Sequence, residues 1–221
     1  MPKIANSGDG CGLMRTPELA GDIVKAVVDA VDVPVTIKCR LGWDKGNINV
    51  LDFTKRMEDN GAAMVTVHGR TRSEMYSGVA DLDEIRKVKN ALHIPVIANG
   101  DIKDARTALS AIRITGADGV AIGRGAVGNP FVFSEILAAM RGENYEMPTL
   151  TERCDMALRQ LSLAKEEKGE RIAIPEARKQ IALYLSDFRG AARLRAEINT
   201  AETYSEVEAI IRRAEREFLS E

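Results

Sequence analysis

The chain has 221 residues, of which 45% are hydrophobic and 29% are charged, and its formal net charge is −2 at pH 7. This composition describes a globular protein long enough to bury a full core. The charge excludes a chain that is strongly basic as a whole, and no apolar run approaches the ~20 residues of a membrane span or resembles a signal peptide.

Helices and short strands are predicted to alternate after a glycine-rich start. The first helix is expected over 17–31, with Thr16 as N-cap and Pro17 at the first helical position. Four β-branched runs bounded by turn formers predict buried parallel strands over 34–38, 64–68, 95–99 and 119–123. Helical patterns follow over 49–60, 83–91, 104–115 and 130–140, and Gly61 and Gly116 are expected just past two of these helices. This alternation predicts an α/β fold with a parallel sheet.

The composition changes after Gly142. Residues 143–150 are polar, aperiodic and contain Pro148, which is typical of a linker. From Thr151 the pattern is helical to residue 221, and Pro175 and Gly190 are expected to divide it into three or four helices. The sequence thus predicts an α/β domain over 1–142, a linker over 143–150 and an all-helical domain over 151–221.

The number of predicted strands leaves two architectures open. Four βα units occupy about 110 residues, whereas a complete (β/α)₈ barrel needs roughly 250. The chain therefore forms either an open four-stranded sheet or one half of a barrel.

Polar residues or glycines follow each predicted strand. Lys38 ends the first, His68 the second, Asn99, Gly100 and Asp101 the third, and Gly123 and Arg124 the fourth. Parallel α/β folds bind ligands at the carboxyl ends of their strands. Backbone N–H groups of the last two loops suit a phosphate, to which Arg124 would add a charge-assisted contact. These residues predict a site for a polar, phosphorylated ligand, although Lys38 alone fits a solvated loop and His68 alone fits a bond to a neighbouring carbonyl.

Two basic regions are candidates for RNA binding. Arg70 and Arg72 lie on the loop after the second strand, with Tyr76 nearby. They could contact an RNA backbone or belong to an ordinary solvated loop. In the helical tail, basic residues outnumber Glu176 and Asp187 between residues 171 and 195, which predicts either a phosphate-binding face or a solubilising one. These basic residues are Arg171, Arg178, Lys179, Arg189, Arg193 and Arg195.

Together these segments resemble the tRNA-dihydrouridine synthases, most closely the bacterial B-type branch. The matching segments are 34–43, 67–72, 96–102, 119–125 with 128–131, and the tail residues 178–179, 190–195 and 198–199. His-Gly-Arg-Thr-Arg and Asn-Gly-Asp-Ile are specific motifs, whereas the Gly-Arg-Gly turn alone is not. The resemblance extends over essentially the whole chain.

The resemblance implies a flavin-binding (β/α)₈ barrel followed by a helical tRNA-binding domain. It implies that FMN reduced by NADPH or NADH delivers hydride to C6 of a uridine flipped out of tRNA, and that a cysteine protonates C5. Carried over by motif, Lys38 and His68 would contact the flavin. Asn99, Gly100, Asp101, Gly123 and Arg124 would hold its ribityl-phosphate arm. The basic residues Arg70, Arg72, Arg178, Lys179, Arg193 and Arg195 would contact tRNA.

The chain departs from the family pattern at its start. The family's proton-donating cysteine lies in a Gly-Cys-Pro motif after the fourth barrel strand, and this sequence begins just past that motif. We therefore expect the C-terminal half of a barrel, without the catalytic cysteine, with two open sheet edges and an uncovered apolar face. Such a chain would bind FMN poorly and reduce no uridine by itself. Cys11 could serve as a substitute acid, but its glycine-rich surroundings favour a buried or half-buried small residue. Strand alternation turns Cys39 away from the ligand.

The remaining expectations concern location, assembly and rival functions. Three cysteines, Cys11, Cys39 and Cys154, without metal-ligand spacing predict reduced thiols in a cytoplasmic protein with no metal site. The full-length form is expected to be monomeric. Two rival hypotheses are a non-catalytic tRNA-binding protein and another barrel flavoenzyme that acts on a small molecule. The basic helical tail argues against the second, because a small substrate needs no such surface.

Overall fold

The structure is a computed structural model that describes residues 7–186 and 190–219. It divides into two compact units, Met1–Gly125 and Ala126–Glu221, which we call the sheet unit and the helical unit. This division falls earlier in the chain than the change in composition at Gly142. The reason lies in the residues after 125: Phe131 packs against the core of the helical unit, and Gly128 lies directly against Leu183.

The sheet unit alternates helices and strands as its sequence predicts, after a short 3₁₀ helix at Gly10–Arg15. Its helices are α1 (Pro17–Ala30), α2 (Val50–Asp59), α3 (Leu82–Ala91) and α4 (Ala105–Thr115). Its strands are β1 (Thr36–Cys39), β2 (Met64–His68), β3 (Val96–Asn99) and β4 (Gly119–Ala121). The predicted α/β class is confirmed, with β4 ending two residues earlier than expected.

The four strands form one parallel sheet in the order β1-β2-β3-β4. The register pairs Lys38 with Thr66, His68 with Asn99, and Asn99 with Ala121. The polar strand ends therefore reach the same edge of the sheet, because parallel strands all point one way.

Alternation along the strands separates a buried face from a more exposed one. Val65, Val67, Val96 and Ala98 are fully buried and share one core cluster with helix residues such as Phe53. The residues of the other face are exposed or half-buried, apart from the buried His68 at its end. They are Thr36, Lys38, Met64, Thr66, Ile97, Asn99, Gly119 and Ala121. This face is thus uncovered, and it mixes polar, small and apolar side chains, so it is less apolar than the sequence predicts.

Capping explains where the helices of the sheet unit begin and end. Asp81 accepts hydrogen bonds from the backbone N–H groups of Asp83 and Glu84, and Asp104 forms a capping box with Thr107. Gly116 ends α4 in a left-handed conformation, with φ +68°. The predicted cap at Thr16 is not formed: α1 begins at Pro17, but the Thr16 side chain makes no capping hydrogen bond.

The helical unit contains α5 (Val132–Arg141), α6 (Leu150–Lys168), α7 (Glu170–Leu183), α8 (Ala191–Thr200) and α9 (Tyr204–Leu219). Residues 143–149, within the predicted linker, have no regular secondary structure. The apolar stripes of α6 to α9 meet in one buried cluster. Its members include Cys154, Leu161, Ile181, Leu185, Ile198 and Ile211.

Pro175 does not divide the tail, contrary to the sequence-based expectation. It lies inside α7, where its missing N–H removes one backbone hydrogen bond without ending the helix. The break falls instead at Gly169, whose φ of +77° favours glycine. None of the helices in the described ranges has both the length and the apolar content that a membrane crossing requires.

Candidate functional site

One cavity of about 680 Å³ lies at the carboxyl ends of the four strands. Seven residues predicted to contact the cofactor line it, so loops that are far apart in sequence meet at one place. They are Lys38, His68, Asn99, Gly100, Asp101, Gly123 and Arg124. The volume lies within the ~300–1,000 Å³ that is usual for cofactor pockets.

At the end of β1, Lys38 and Arg40 bring two positive charges to the cavity. Burial, with a further contribution from the Arg40 charge, lowers the pKa of the Lys38 amine. The Arg40 guanidinium donates to the carbonyls of Thr71 and Met75, at 2.9 and 3.1 Å. Arg40 therefore holds the loop that follows β2 while its charge stays at the cavity.

His68 lines the cavity and is 7% exposed. Burial, together with the charges of Arg40 and Lys38, lowers its pKa to about 4. The ring is therefore neutral at pH 7, with one nitrogen able to donate and the other able to accept. A Cβ at Gly100 would lie 2.6 Å from the Ala80 Cβ, so only glycine fits beside this ring.

The loop after β3 is fixed by side-chain contacts. Asn99 donates from Nδ2 to the Ala121 carbonyl at 2.7 Å, which ties the ends of β3 and β4 together. Asp101, with φ +54°, accepts from the Ala80 N–H and from Arg70. The hydrogen bond from Arg70 contributes most to holding the pKa of Asp101 below its usual range. A carboxylate repels phosphate, so this geometry favours a positioning role for Asp101 over a direct contact to a phosphate arm.

Arg70, predicted to contact RNA, is directed into the protein. Its residue is 1% exposed, and its guanidinium donates to the carbonyls of Ser77 and Gly78 at 2.9 and 2.7 Å. The same group forms an ion pair with Asp101 at 2.7 Å. Arg70 thus braces the loop beside the cavity, and this burial contradicts the expected RNA contact, which an exposed guanidinium would be needed to make.

Gly123 and Arg124 form the last side of the cavity. A Cβ at Gly123 would meet nothing within 4 Å, so the backbone there faces open space. The Arg124 guanidinium lies 3.6 Å from an Asp101 oxygen and 4.3 Å from the centroid of the Tyr76 ring. Its side chain remains 59% exposed, so it can also reach an anion in the cavity.

Several lining residues lie outside the predicted cofactor set, namely Arg40, Tyr76, Ile102, Lys103, Ala121, Ile122 and Gly125. Lys103 follows Asp101 by two positions and adds a cation to the cavity wall. Its place after Asn-Gly-Asp-Ile is a signal that could have identified it. Gly125 is required for packing, since a Cβ there would lie 2.5 Å from the Ile102 carbonyl oxygen.

None of the three cysteines is among the residues described as lining this cavity. Cys39 is buried in the core, as strand alternation predicts, and burial raises its pKa to about 12. Cys11 is half-buried, and burial also raises the pKa of its thiol. A proton-donating cysteine is therefore not identified in the described part of the cavity.

The predicted RNA-contacting residues of the helical unit fall into two kinds. Arg193 is paired with Glu217 and Glu197, at 2.9 and 3.3 Å, and Arg178 donates to the Ala201 carbonyl at 2.7 Å. Lys179 and Arg195 are exposed and have no ion pair with a described residue. Arg189 and Asp187 lie outside the described residues.

Comparison with known proteins gives consistent matches. A model of the dihydrouridine synthase family matches residues 1–219. A probable tRNA-dihydrouridine synthase 1 from Synechocystis sp. is 49% identical over 197 residues, which cover 89% of this chain and 55% of that protein. The tRNA-dihydrouridine synthase B of Pseudomonas putida is 41% identical over 201 residues, which cover 90% of this chain and 60% of that protein. The chain thus spans little more than half the length of these curated relatives.

Among solved structures, a mandelate oxidase aligns with 88% of this chain and 59% of its own. The identity is 16% and the TM-score is 0.33, and at these values the likeness carries no conclusion on fold or function.

Proposed function

Because the chain belongs to the dihydrouridine synthase family, we propose that it forms the part of a tRNA-dihydrouridine synthase that holds FMN and contacts tRNA. The observation that carries this proposal is the shared cavity at the four strand ends. It joins several cations, a neutral histidine and an open glycine backbone at one place.

The strand order supports a place within a barrel. A doubly wound sheet reverses its strand order at its ligand site, whereas the strands of a (β/α)₈ barrel follow one another in sequence. The observed order β1-β2-β3-β4 is sequential and all parallel. We therefore infer that the sheet unit is half of an eight-stranded barrel and that the helical unit is its RNA-binding companion.

The residues present fit a flavin mononucleotide. Lys38 and His68 would lie against the ring system, and Arg124, with the backbone at Gly123, would hold the phosphate. Lys103 adds a second cation to the wall. When bound, FMN reduced by NADPH or NADH supplies the hydride that converts uridine to dihydrouridine.

Each side chain has a separate task in this proposal. The Lys38 ammonium favours negative charge on the ring beside it, and the neutral His68 can hydrogen-bond without adding charge. Asn99 keeps the ends of β3 and β4 at a fixed spacing, because it donates to the Ala121 carbonyl. Asp101 holds Arg70 and lies near Arg124, so it positions cations and does not bind phosphate itself.

Flavin binding tests the proposal. We expect FMN to bind about 10- to 100-fold more tightly than riboflavin, because a charged hydrogen-bonded contact contributes roughly 1.5–3 kcal/mol. Arg124→Met should weaken FMN binding and leave riboflavin binding unchanged. Arg113→Met, on the exposed last turn of α4, is the matched control. Equal binding of FMN and riboflavin by the wild type, or no flavin binding at all, would refute the proposal.

A second function, tRNA binding without catalysis, is favoured by one observation. No cysteine is among the described residues that line the cavity, and the proposed reaction needs a proton donor there. We therefore propose that the chain by itself reduces no uridine. Incubation with FMN, NADPH and an unmodified tRNA transcript, followed by nucleoside mass spectrometry, tests this. Dihydrouridine above the level of a protein-free control would contradict it.

A further inference from the structure

A second group of cations surrounds the Trp43 ring, outside the cavity. The guanidinium carbons of Arg15 and Arg72 lie 5.0 and 4.7 Å from the centroid of this ring. We call these three residues the Trp43 cluster. Trp43 is half-buried and Arg15 is exposed.

The backbone around the Trp43 cluster is held by contacts between two loops. The Leu41 N–H donates to the Arg70 carbonyl at 3.1 Å, and the N–H groups of Arg72 and Ser73 donate to Gly42 and Trp43, each at 2.9 Å. A Cβ at Gly42 would lie 2.0 Å from the Asn47 carbonyl oxygen, so the loop can fold this tightly only with glycine there. The ring is thus positioned before any ligand arrives.

The contact with the ring leaves the hydrogen-bonding edge of Arg15 available. A guanidinium can lie against an aromatic ring and still donate from its N–H groups to a phosphate. Arg15 has no carboxylate within ion-pair distance among the described residues, unlike Arg70 and Arg193.

Positive charge continues from the Trp43 cluster toward the cavity. The Arg40 guanidinium, which lines the cavity, donates to the carbonyl of Thr71 at 2.9 Å, and Arg72 is the next residue of that loop. Lys38 and Arg40 line the cavity, whereas Arg72 belongs to the Trp43 cluster.

We propose that the Trp43 cluster binds the phosphate backbone of RNA beside the flavin cavity, with Arg15 as the donor. This inference rests on the proposed function, because it takes the nucleotide in the cavity to be part of a longer RNA strand. A ligand that extends out of the cavity on this side would meet continuous positive charge.

Trp43 is the only tryptophan of the chain, so its fluorescence reports on this place directly. We expect titration with an unmodified tRNA transcript to change the Trp43 emission. Arg15→Ala should weaken tRNA binding about three- to tenfold and lower the slope of log affinity against log salt by about one. Arg113→Ala removes the same charge from the last turn of α4, at the opposite end of the sheet, and should leave both quantities unchanged.

The outcomes separate this inference from the function it rests on. If Arg15→Ala binds tRNA with wild-type affinity and salt slope, or if saturating tRNA leaves the Trp43 emission unchanged, the inference is wrong while the proposed function stands. Millimolar inorganic phosphate should not reproduce the change in emission, and if it does, the cluster is a general anion site. If the wild type binds FMN but no tRNA, both the inference and the RNA part of the proposed function fail.

Discussion

The carboxyl ends of the strands and the helical unit differ in how their positive charges are paired. In the helical unit, Arg193 pairs with Glu217, Arg212 with Asp155 and Glu215, and Arg213 with Glu197. Near the carboxyl ends of the strands, Lys38, Arg40 and Arg15 have no such ion pair with a described residue, and Arg40 and Arg15 contact carbonyls or an aromatic ring instead. Arg70 and Arg124, which both lie near Asp101, are the exceptions there.

This difference shows which basic residues are candidates for binding. A cation that lies between two carboxylates is largely neutralised and attracts a phosphate weakly. A cation that contacts only carbonyls or an aromatic ring attracts a phosphate more strongly. Exposed ion pairs also add little to stability, typically ~0–1 kcal/mol. The cations at the strand ends are thus the stronger candidates for ligand contact.

The largest expected effect concerns Arg70, a fully buried cation of the sheet unit. Arg70→Met would leave Asp101 and two carbonyls without their donor, and we expect the free energy of unfolding to fall by about 2–3 kcal/mol. Arg193→Met, whose pairs are solvent-exposed, should cost less than ~1 kcal/mol. Urea denaturation of both variants measures the difference. Equal losses would break the comparison between the two units.

Two glycines that follow β4 provide a matched pair of substitutions, whose expected effects on stability are smaller. A methyl group at Gly125 would lie 2.5 Å from the Ile102 oxygen, and we expect Gly125→Ala to cost about 1–3 kcal/mol of folding free energy. Gly123→Ala meets nothing within 4 Å and should leave stability unchanged, but it should weaken FMN binding because the methyl group enters the cavity. Thermal unfolding and flavin titration distinguish the two. If Gly123→Ala destabilises as much as Gly125→Ala, the backbone there does not face open space.

The pH dependence of stability is expected to arise in the sheet unit, where both histidines lie. The pKa of His68 is lowered from 6.5 to about 4, so between these values the unfolded chain binds more protons than the folded one. The free energy of unfolding should therefore fall by about 1–3 kcal/mol as the pH drops from 6.5 to 4. His68→Gln should remove this part of the loss.

The exposed His93 serves as the control for this experiment. Its side chain is 96% exposed, so His93→Gln leaves His68 and its surroundings as they are. Denaturant unfolding at pH 7 and pH 4.5 compares the three proteins. The same acid-induced loss in His68→Gln as in the wild type would contradict the assignment to His68.

The smallest expected effect concerns RNA binding by the helical unit. Lys179→Ala combined with Arg195→Ala should lower tRNA affinity about three- to tenfold, because neither residue has an ion pair with a described residue. Arg193→Ala should change the affinity less than twofold, since Glu197 and Glu217 already neutralise this guanidinium. Filter binding at two salt concentrations measures both variants. A larger loss in Arg193→Ala would show that ion pairing does not distinguish binding residues in this unit.

Much of the fold followed from local patterns. Short β-branched runs between turn formers predicted the strands, and 3.6-residue periodicity predicted the helices to within a few residues. The residues expected around a cofactor also followed from one local rule, that parallel strands carry ligands at their carboxyl ends. The local pattern wrongly predicted a helix break at Pro175, because packing of α7 against its neighbours outweighs the loss of one hydrogen bond.

The amino-acid sequence by itself determined the order of strands and helices and the identity of the residues at the strand ends. Only the tertiary structure decided which charged side chains are paired within the protein and which remain available to a ligand. Arg70 turned inward because Ser77, Gly78 and Asp101 supply acceptors from other loops, and Arg15 met Trp43 although 28 positions separate them. Secondary structure depends on neighbours along the chain, but a charged side chain takes its partner from whatever the fold brings within a few ångströms.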